Sequence, residues 1–264
     1  MTQKNHWLNF INGQWLDSPQ SIEVDDPATG QVFATIACAD AKAVDQAVKA
    51  ARACVDSGVL SDCRPVERAA LLQRIAQEIR NLTDEAAPLL MQENGKSLAD
   101  AKEEFVMAAK YFEYYAGMAD KIEGKSIPLG KDYVDFTVYE PVGISAQIVP
   151  WNFPVDICAR SLAPALAAGN AVVVKSPEIS PLAMTTVNGS VLLGLYWVMT
   201  EDSLSSRTGK VYWFFLMNGL TRLADRASSV EMDSTVKPLS FFSVYIFWRC
   251  GISSLHGPHQ VAQK

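Results

Sequence analysis

The chain has 264 residues, 49% of them apolar, and a formal charge of -6. That length allows one large domain or two ordinary ones around a sizeable core. A negative balance without any basic run excludes a general nucleic-acid binder, which must displace counterions from phosphates.

Residues 7–11 and 14–16 flank Asn12-Gly13, the dipeptide best suited to the positive φ angles of a type I′ turn, and predict an opening β-hairpin. Asp26-Pro27-Ala28-Thr29-Gly30 is a second turn before a strand-like run at 32–36. Asp40 is placed to N-cap a helix whose apolar positions Val44, Ala47, Val48, Ala51 and Val55 recur at three and four, with Gly58 as its stop.

The next helix follows Pro65. Its buried stripe is Leu71, Leu72, Ile75, Ile79 and Leu82, with Glu67, Arg68, Arg74 and Arg80 left for solvent. A third helical stretch covers 83–94 and stops at Gly95. Ser97 with Asp100 reads as a capping box for a long fourth helix, with Leu98, Ala101, Phe105, Ala108, Phe112, Tyr115 and Ala119 facing inward as core. Residues 133–139 alternate as a strand exposed on one face, ending at Pro141.

Two apolar runs, 143–149 and 171–174, enclose an Ala-rich stretch that breaks at Gly169-Asn170, which reads as strand, helix, strand. Pro164 removes a backbone donor, so the helix is expected to kink or split near it. In such a βαβ unit ligands sit outside the carboxyl ends of the strands. Those ends carry Pro150-Trp151-Asn152-Phe153-Pro154 and Lys175-Ser176-Pro177-Glu178.

Beyond about residue 187 no sustained period organises the sequence. Apolar runs at 191–199, 211–217 and 239–248 are each well short of the roughly 20 residues of a spanning helix, so no membrane span is expected. The first ten residues lack the apolar region of a secretory signal, and no export is expected. Cys38, Cys54, Cys63, Cys158 and Cys250 are odd in number and show no CxxC spacing, which argues against a disulfide framework or zinc site and for a reducing cytoplasm. There is no GxGxxG and no HExxH. Gly189 and Gly194 lack the Lys and Ser or Thr that would complete a P-loop.

PWNFP, followed about twenty residues later by G-N-x-V-V-V-K-x-x-E, resembles the NAD(P)-dependent aldehyde dehydrogenase superfamily. The resemblance extends back through Glu93-Asn94-Gly95-Lys96, the Asp26 to Gly30 turn and Phe10-Ile11-Asn12-Gly13-Gln14-Trp15, covering about residues 7–186. It implies an α/β fold: an incomplete Rossmann-like nucleotide-binding domain with N-terminal helices and a β-hairpin oligomerisation arm that includes 132–139. Residues 187–264 form a divergent tail of unassigned fold, resembling another reading frame, a retained intron or an alternative exon joined near Thr185.

By the same resemblance Ile148, Val149, Pro150 and Trp151 would line the cofactor cleft. Lys175 and Glu178 would meet the adenosine ribose, and a carboxylate there would repel a 2′-phosphate, which favours NAD over NADP. The family mechanism is cysteine attack on an aldehyde, hydride transfer to the nicotinamide and hydrolysis of the thioester with a glutamate as base. Asn152 would donate its side-chain amide to the developing oxyanion.

The family's glycine-containing nucleotide loop, its E-L-G-G segment and its G-Q-x-C segment have no counterpart in these 264 residues. Residues 230–233 only faintly echo the base motif, the surroundings of Cys250 do not match those of the nucleophile, and Ser176 and Pro177 transpose the usual K-P-S-E order. Cys158 reads as a packing residue, and Cys250 with His256 and His259 lacks an orienting acid. Two expectations follow. One is an aldehyde dehydrogenase portion inactive alone. The other is a non-catalytic interaction protein that joins full-length family subunits or a second copy of itself through the arm or tail.

Overall fold

The computed structural model describes residues 5–187. The tail runs, Gly189, Gly194, Cys250, His256 and His259 lie outside the described residues.

The opening follows its turn chemistry. β1 (Asn5–Trp7), β2 (Asn9–Ile11) and β3 (Gln14–Leu16) come first, and β2 pairs antiparallel with β3 across Asn12 at φ 52 and Gly13 at φ 63. The single strand expected over 7–11 is broken at Leu8, because β1 leaves this hairpin to pair parallel with β5 (Gln31–Ala37). β4 (Ser21–Asp26) was not anticipated. It pairs with β5 across the Asp26 to Gly30 turn, where Asp26 Oδ1 accepts the Ala28 N–H at 2.8 Å.

Asp40 caps α1 (Ala41–Asp56), its Oδ1 accepting the Ala43 N–H at 2.8 Å. The buried face is Ala47, Ala50, Ala51 and Cys54. Val44 and Val48, expected inward, are exposed, because α1 lies on strands β8 and β9 through its small residues, which permit close approach.

The two helices expected over 65–94 are one, α2 (Pro65–Asn94), 30 residues long. Thr83 does not break it, because its hydroxyl donates to Ile79 O at 3.1 Å and the side chain is satisfied within the helix. Arg68, expected in solvent, is buried and donates to the carbonyls of Leu60, Cys63 and Ala167. Arg80 is half-buried and pairs with Glu113 at 2.7 Å.

α2 ends at Gly95, whose φ of 80 is left-handed, and a Cβ there would lie 2.8 Å from Pro27 Cγ. Gly95→Ala is therefore expected to cost about 1–2 kcal/mol, from the left-handed backbone alone, plus whatever Pro27 must yield. A urea midpoint unchanged from wild type would contradict this.

α3 (Leu98–Met118) starts as expected, with Ser97 Oγ accepting the Asp100 N–H at 3.1 Å. Ala101, Phe105, Ala108, Phe112 and Ala119 are buried, while Leu98 at the first turn is exposed. A 3-10 turn (Ala119–Lys121) leads to β6 (Ser126–Ile127) and β7 (Asp135–Phe136), an antiparallel ribbon much shorter than the strand expected over 133–139. Tyr133, Val134, Phe136 and Val138 stand in solvent, Val134 at 90% exposure.

β8 (Ile144–Ile148), α4 (Pro154–Ala167) and β9 (Ala171–Lys175) form the expected unit, with the strands parallel and Ile144↔Ala171 through Ile148↔Lys175 in register. α4 is not split at Pro164, which sits inside a single helix. The main core joins α2, α3 and α4 to both strands and to α1. Residues 182–187 are helical, and Leu182 closes a smaller core with Val24, Ala34 and Ile36.

Candidate functional site

Because Ile148 and Lys175 are register partners, the chain leaves β8 and β9 side by side. Val149 N–H donates to Lys175 O at 3.1 Å, extending the pairing by one bond. Residues 150–153 and 176–178 therefore emerge at one end of the sheet, where the polar groups of a nucleotide site belong in this type of unit.

Lys175 and Glu178 form an exposed ion pair, and the ammonium holds the Glu178 carboxyl below the usual carboxylate range. Both heads face water and are available to hydroxyl groups. Ile148, Pro150, Trp151 and Asn152 are also exposed, Trp151 at 54%. Val149 differs from them, since its side chain is buried in the main core and only its backbone reaches this edge.

The Asn152 side-chain amide makes no hydrogen bond among the described residues, so its donors are free. Its backbone is held. Asn94 Nδ2 donates to Trp151 O at 2.8 Å and Lys96 Nζ donates to Asn152 O at 3.1 Å. Lys96 also pairs with the buried Glu104 of α3 and lies 4.6 Å from the Phe153 ring centroid, a cation over an aromatic face.

Glu104 Oε1 in turn accepts the N–H groups of Val155 at 2.8 Å and Asp156 at 3.2 Å, both in the first turn of α4. Those donors are the ones a phosphate would use at a helix N-terminus. Here a protein carboxylate already occupies them, so α4 does not offer its N-terminus to a dinucleotide. Burial raises the Asp156 carboxyl, with Arg160 and Lys96 opposing.

Glu93, one residue before Asn94, is buried and accepts Leu182 N–H at 2.6 Å and Ala183 N–H at 2.9 Å. Burial pushes its carboxyl up to about 7. The run Glu93-Asn94-Gly95-Lys96 thus fastens two segments to the end of α2: the 150–153 loop and the helical turn after Pro181. The sequence offers this run as a helix stop and as part of the family resemblance, not as an anchor, and Glu104 was missed. The signal for Glu104 was present, because it lies three residues from Ala101 and four from Ala108, inside the apolar stripe of α3.

Among the described residues, three of the four cysteines are poorly suited to act as a nucleophile. Cys158 is buried within α4, and burial pushes Cys54 up to about 12 and Cys63 up to about 11, away from the thiolate form. No group of three or more metal-binding side chains occurs among the described residues. Among those residues no helix is long and apolar enough to cross a membrane.

The sequence model of the aldehyde dehydrogenase family matches residues 15–190. The chain is 40% identical over 183 residues to aldehyde dehydrogenase family 2 member B4, mitochondrial, of Arabidopsis thaliana, covering 68% of this chain and 34% of that one. Aldehyde dehydrogenase 1 of Tanacetum cinerariifolium is 40% identical over 227 residues, 85% of this chain and 43% of its own, so that match includes sequence beyond residue 190. In fold it is similar to the NAD+ complex of an aldehyde dehydrogenase from Bacillus cereus, with TM-score 0.69 and 34% identity over 73% of this chain and 39% of that one. The chain spans about a third to two-fifths of the length of these relatives. With the family match covering well over half of its residues, the chain belongs to the aldehyde dehydrogenase family.

Proposed function

We propose that the chain carries the first part of an NAD-binding domain for aldehyde oxidation and that these 264 residues are catalytically inactive alone. The observation that carries this reading is the register of β8 and β9, which puts the exposed Asn152 loop beside the Lys175–Glu178 pair at the carboxyl end of a parallel sheet. A bound NAD would supply the hydride acceptor.

The roles of the chain's own groups follow from their chemistry. Lys175 donates to ribose hydroxyls and Glu178 accepts from them, while the Glu178 charge disfavours a 2′-phosphate. Trp151 and Ile148 offer apolar surface to the cofactor, Pro150 shapes the loop and Val149 contributes backbone. The free Asn152 amide is the donor for an oxyanion. Without a thiolate beside it that donor has no intermediate to stabilise, so activity requires a nucleophile and base that no recognisable segment of this sequence provides. Cysteine usage supports a cytoplasmic location for this chain, whereas its relatives include mitochondrial proteins.

Thermal unfolding with and without NAD tests the binding half. A folded site saturated at a hundred times its dissociation constant gains about 2.7 kcal/mol. NAD is expected to raise the midpoint, with NADP raising it less and Glu178→Gln narrowing the difference. No shift with either nucleotide refutes binding, and aldehyde-dependent NADH formation by the pure chain refutes inactivity.

A second reading is a non-catalytic partner of full-length family subunits or of a second copy. It is favoured by the exposed apolar side chains around β7, a concentration that water tolerates poorly. Co-purification with a complete family member, lost when Val134 and Phe136 become serine, is its expected result.

A further inference from the structure

Lys96 is nearly enclosed, with 11% of its side chain exposed, and its ammonium has partners in two separate segments. They are the Glu104 carboxylate on α3, the Asn152 carbonyl and the Phe153 ring. Glu104, 1% exposed in its side chain, uses its other oxygen for the N–H groups of Val155 and Asp156. The two charges therefore grip the chain on both sides of Phe153.

The loop ahead of the buried Pro154 has little packing of its own. Trp151, Asn152 and Phe153 are all exposed, so their conformation is set by backbone contacts rather than by a surrounding core. An enclosed ion pair is in general no better for stability than apolar residues of the same volume, because desolvation offsets the attraction. What apolar replacements would not provide is a donor to Asn152 O together with an acceptor for the first turn of α4.

We infer that Lys96 and Glu104 are positioning residues, which fix the Asn152 peptide between α3 and α4 and thereby aim its free side-chain amide. This rests on the reading of Asn152 as the oxyanion donor. Lys96 holds the peptide at its carbonyl, and Glu104 holds the helix that begins two residues later. Asn94 adds a third tie at Trp151 O.

The deciding variant is the double substitution Lys96→Met with Glu104→Gln. Lys96→Met alone strands a buried carboxylate, at a cost that can unfold the chain. The double variant removes both charges, keeps an apolar stem near Phe153 and keeps an oxygen for the Val155 and Asp156 donors. The readout is the backbone 15N order parameter at Trp151, Asn152 and Phe153 in the full chain, alongside that of Phe105 and Phe112 in α3.

Wild type is expected to show rigid values of about 0.85 at all five, and the double variant values below about 0.6 in the loop with α3 unchanged. A purely structural pair predicts instead that the neutral double variant regains both the unfolding midpoint and the loop order, and that result overturns the inference. It is equally overturned by a loop already mobile in wild type, or by a double variant that does not fold, since the pair would then serve the whole fold. Absence of an NAD effect on wild-type unfolding counts against the proposed function alone and leaves the loop readout standing.

Discussion

Arg68→Ala is expected to lower the stability of the chain by roughly 3–5 kcal/mol, because it removes three charge-assisted hydrogen bonds and leaves buried carbonyls without donors. Arg68 Nε donates to Ala167 O at 3.1 Å, and Nη1 donates to Leu60 O at 3.1 Å and Cys63 O at 2.5 Å. Ala167 is the last residue of α4, where carbonyls lack an intrahelical partner and the helix dipole favours a cation. One guanidinium thus joins the start of α2, the connection after α1 and the end of the site helix. Arg68→Lys carries the charge without the fork and is expected to recover only part of the loss. Arg68→Met keeps the apolar stem and separates lost packing from lost donors. The measurement is a urea titration, in which the midpoint falls while the slope is unchanged. A midpoint within error of wild type for Arg68→Ala would contradict the assignment.

Glu93 is expected to make stability fall with rising pH. Its carboxyl is pushed up from 4.5 to about 7, first by burial and further by the nearby charge of Glu104, against the N–H groups of Ala183 and Leu182 and the Ser180 side chain, which favour the ionised form. Between these two values the folded chain holds a proton that the unfolded chain releases. The contribution of this group is therefore fully present below about 4.5 and is lost as pH rises through about 7. The whole span is worth about 3 kcal/mol, and Glu93→Gln, which does not titrate, removes it. Urea midpoints of wild type and variant are expected to draw together between about pH 4.5 and 7, with the variant gaining relative to wild type at the alkaline end. Parallel profiles would show that Glu93 does not titrate in this window. Glu93→Ala should be worse than glutamine at every pH, since it leaves the Leu182 and Ala183 donors buried without an acceptor.

Both residues show why part of this fold could not be read in advance. Arg68 lies three and four residues before Leu71 and Leu72, and Glu93 lies three after Leu90. Each sits on the apolar stripe of α2, yet residue type alone assigns a charge to solvent. Arg68 also reaches Leu60 and Cys63 nearby, but the contacts that tie these two residues across the fold lie about ninety residues away or more, in α4 and the 182–187 helix, and no local pattern announces a contact at that separation. Lys96 and Glu104 likewise hold backbone groups of Asn152 and Val155, 56 and 51 residues away. The helix boundary expected at Thr83 is absent, because packing along α3 carries α2 through it. Val44 and Val48 fit a helical stripe by spacing. Which stripe faces inward was decided by what α1 packs against.

The sequence by itself determined the local signals and the family: the Asn12-Gly13 hairpin, the Asp40 and Ser97 caps, the left-handed stop at Gly95, and β8, α4 and β9 with PWNFP and Lys175 to Glu178 at their ends. Each depends on interactions within a few residues of chain, where side-chain chemistry and backbone preference are enough. Only the tertiary structure decided that α2 is one helix, that Val149 belongs to the core while its neighbours are exposed, and that α4 has its first turn filled by Glu104. It also decided that the Glu93 to Lys96 run anchors the site. Those outcomes depend on which distant groups share a low-dielectric interior, where an unpaired charge or backbone donor is too costly to leave unsatisfied.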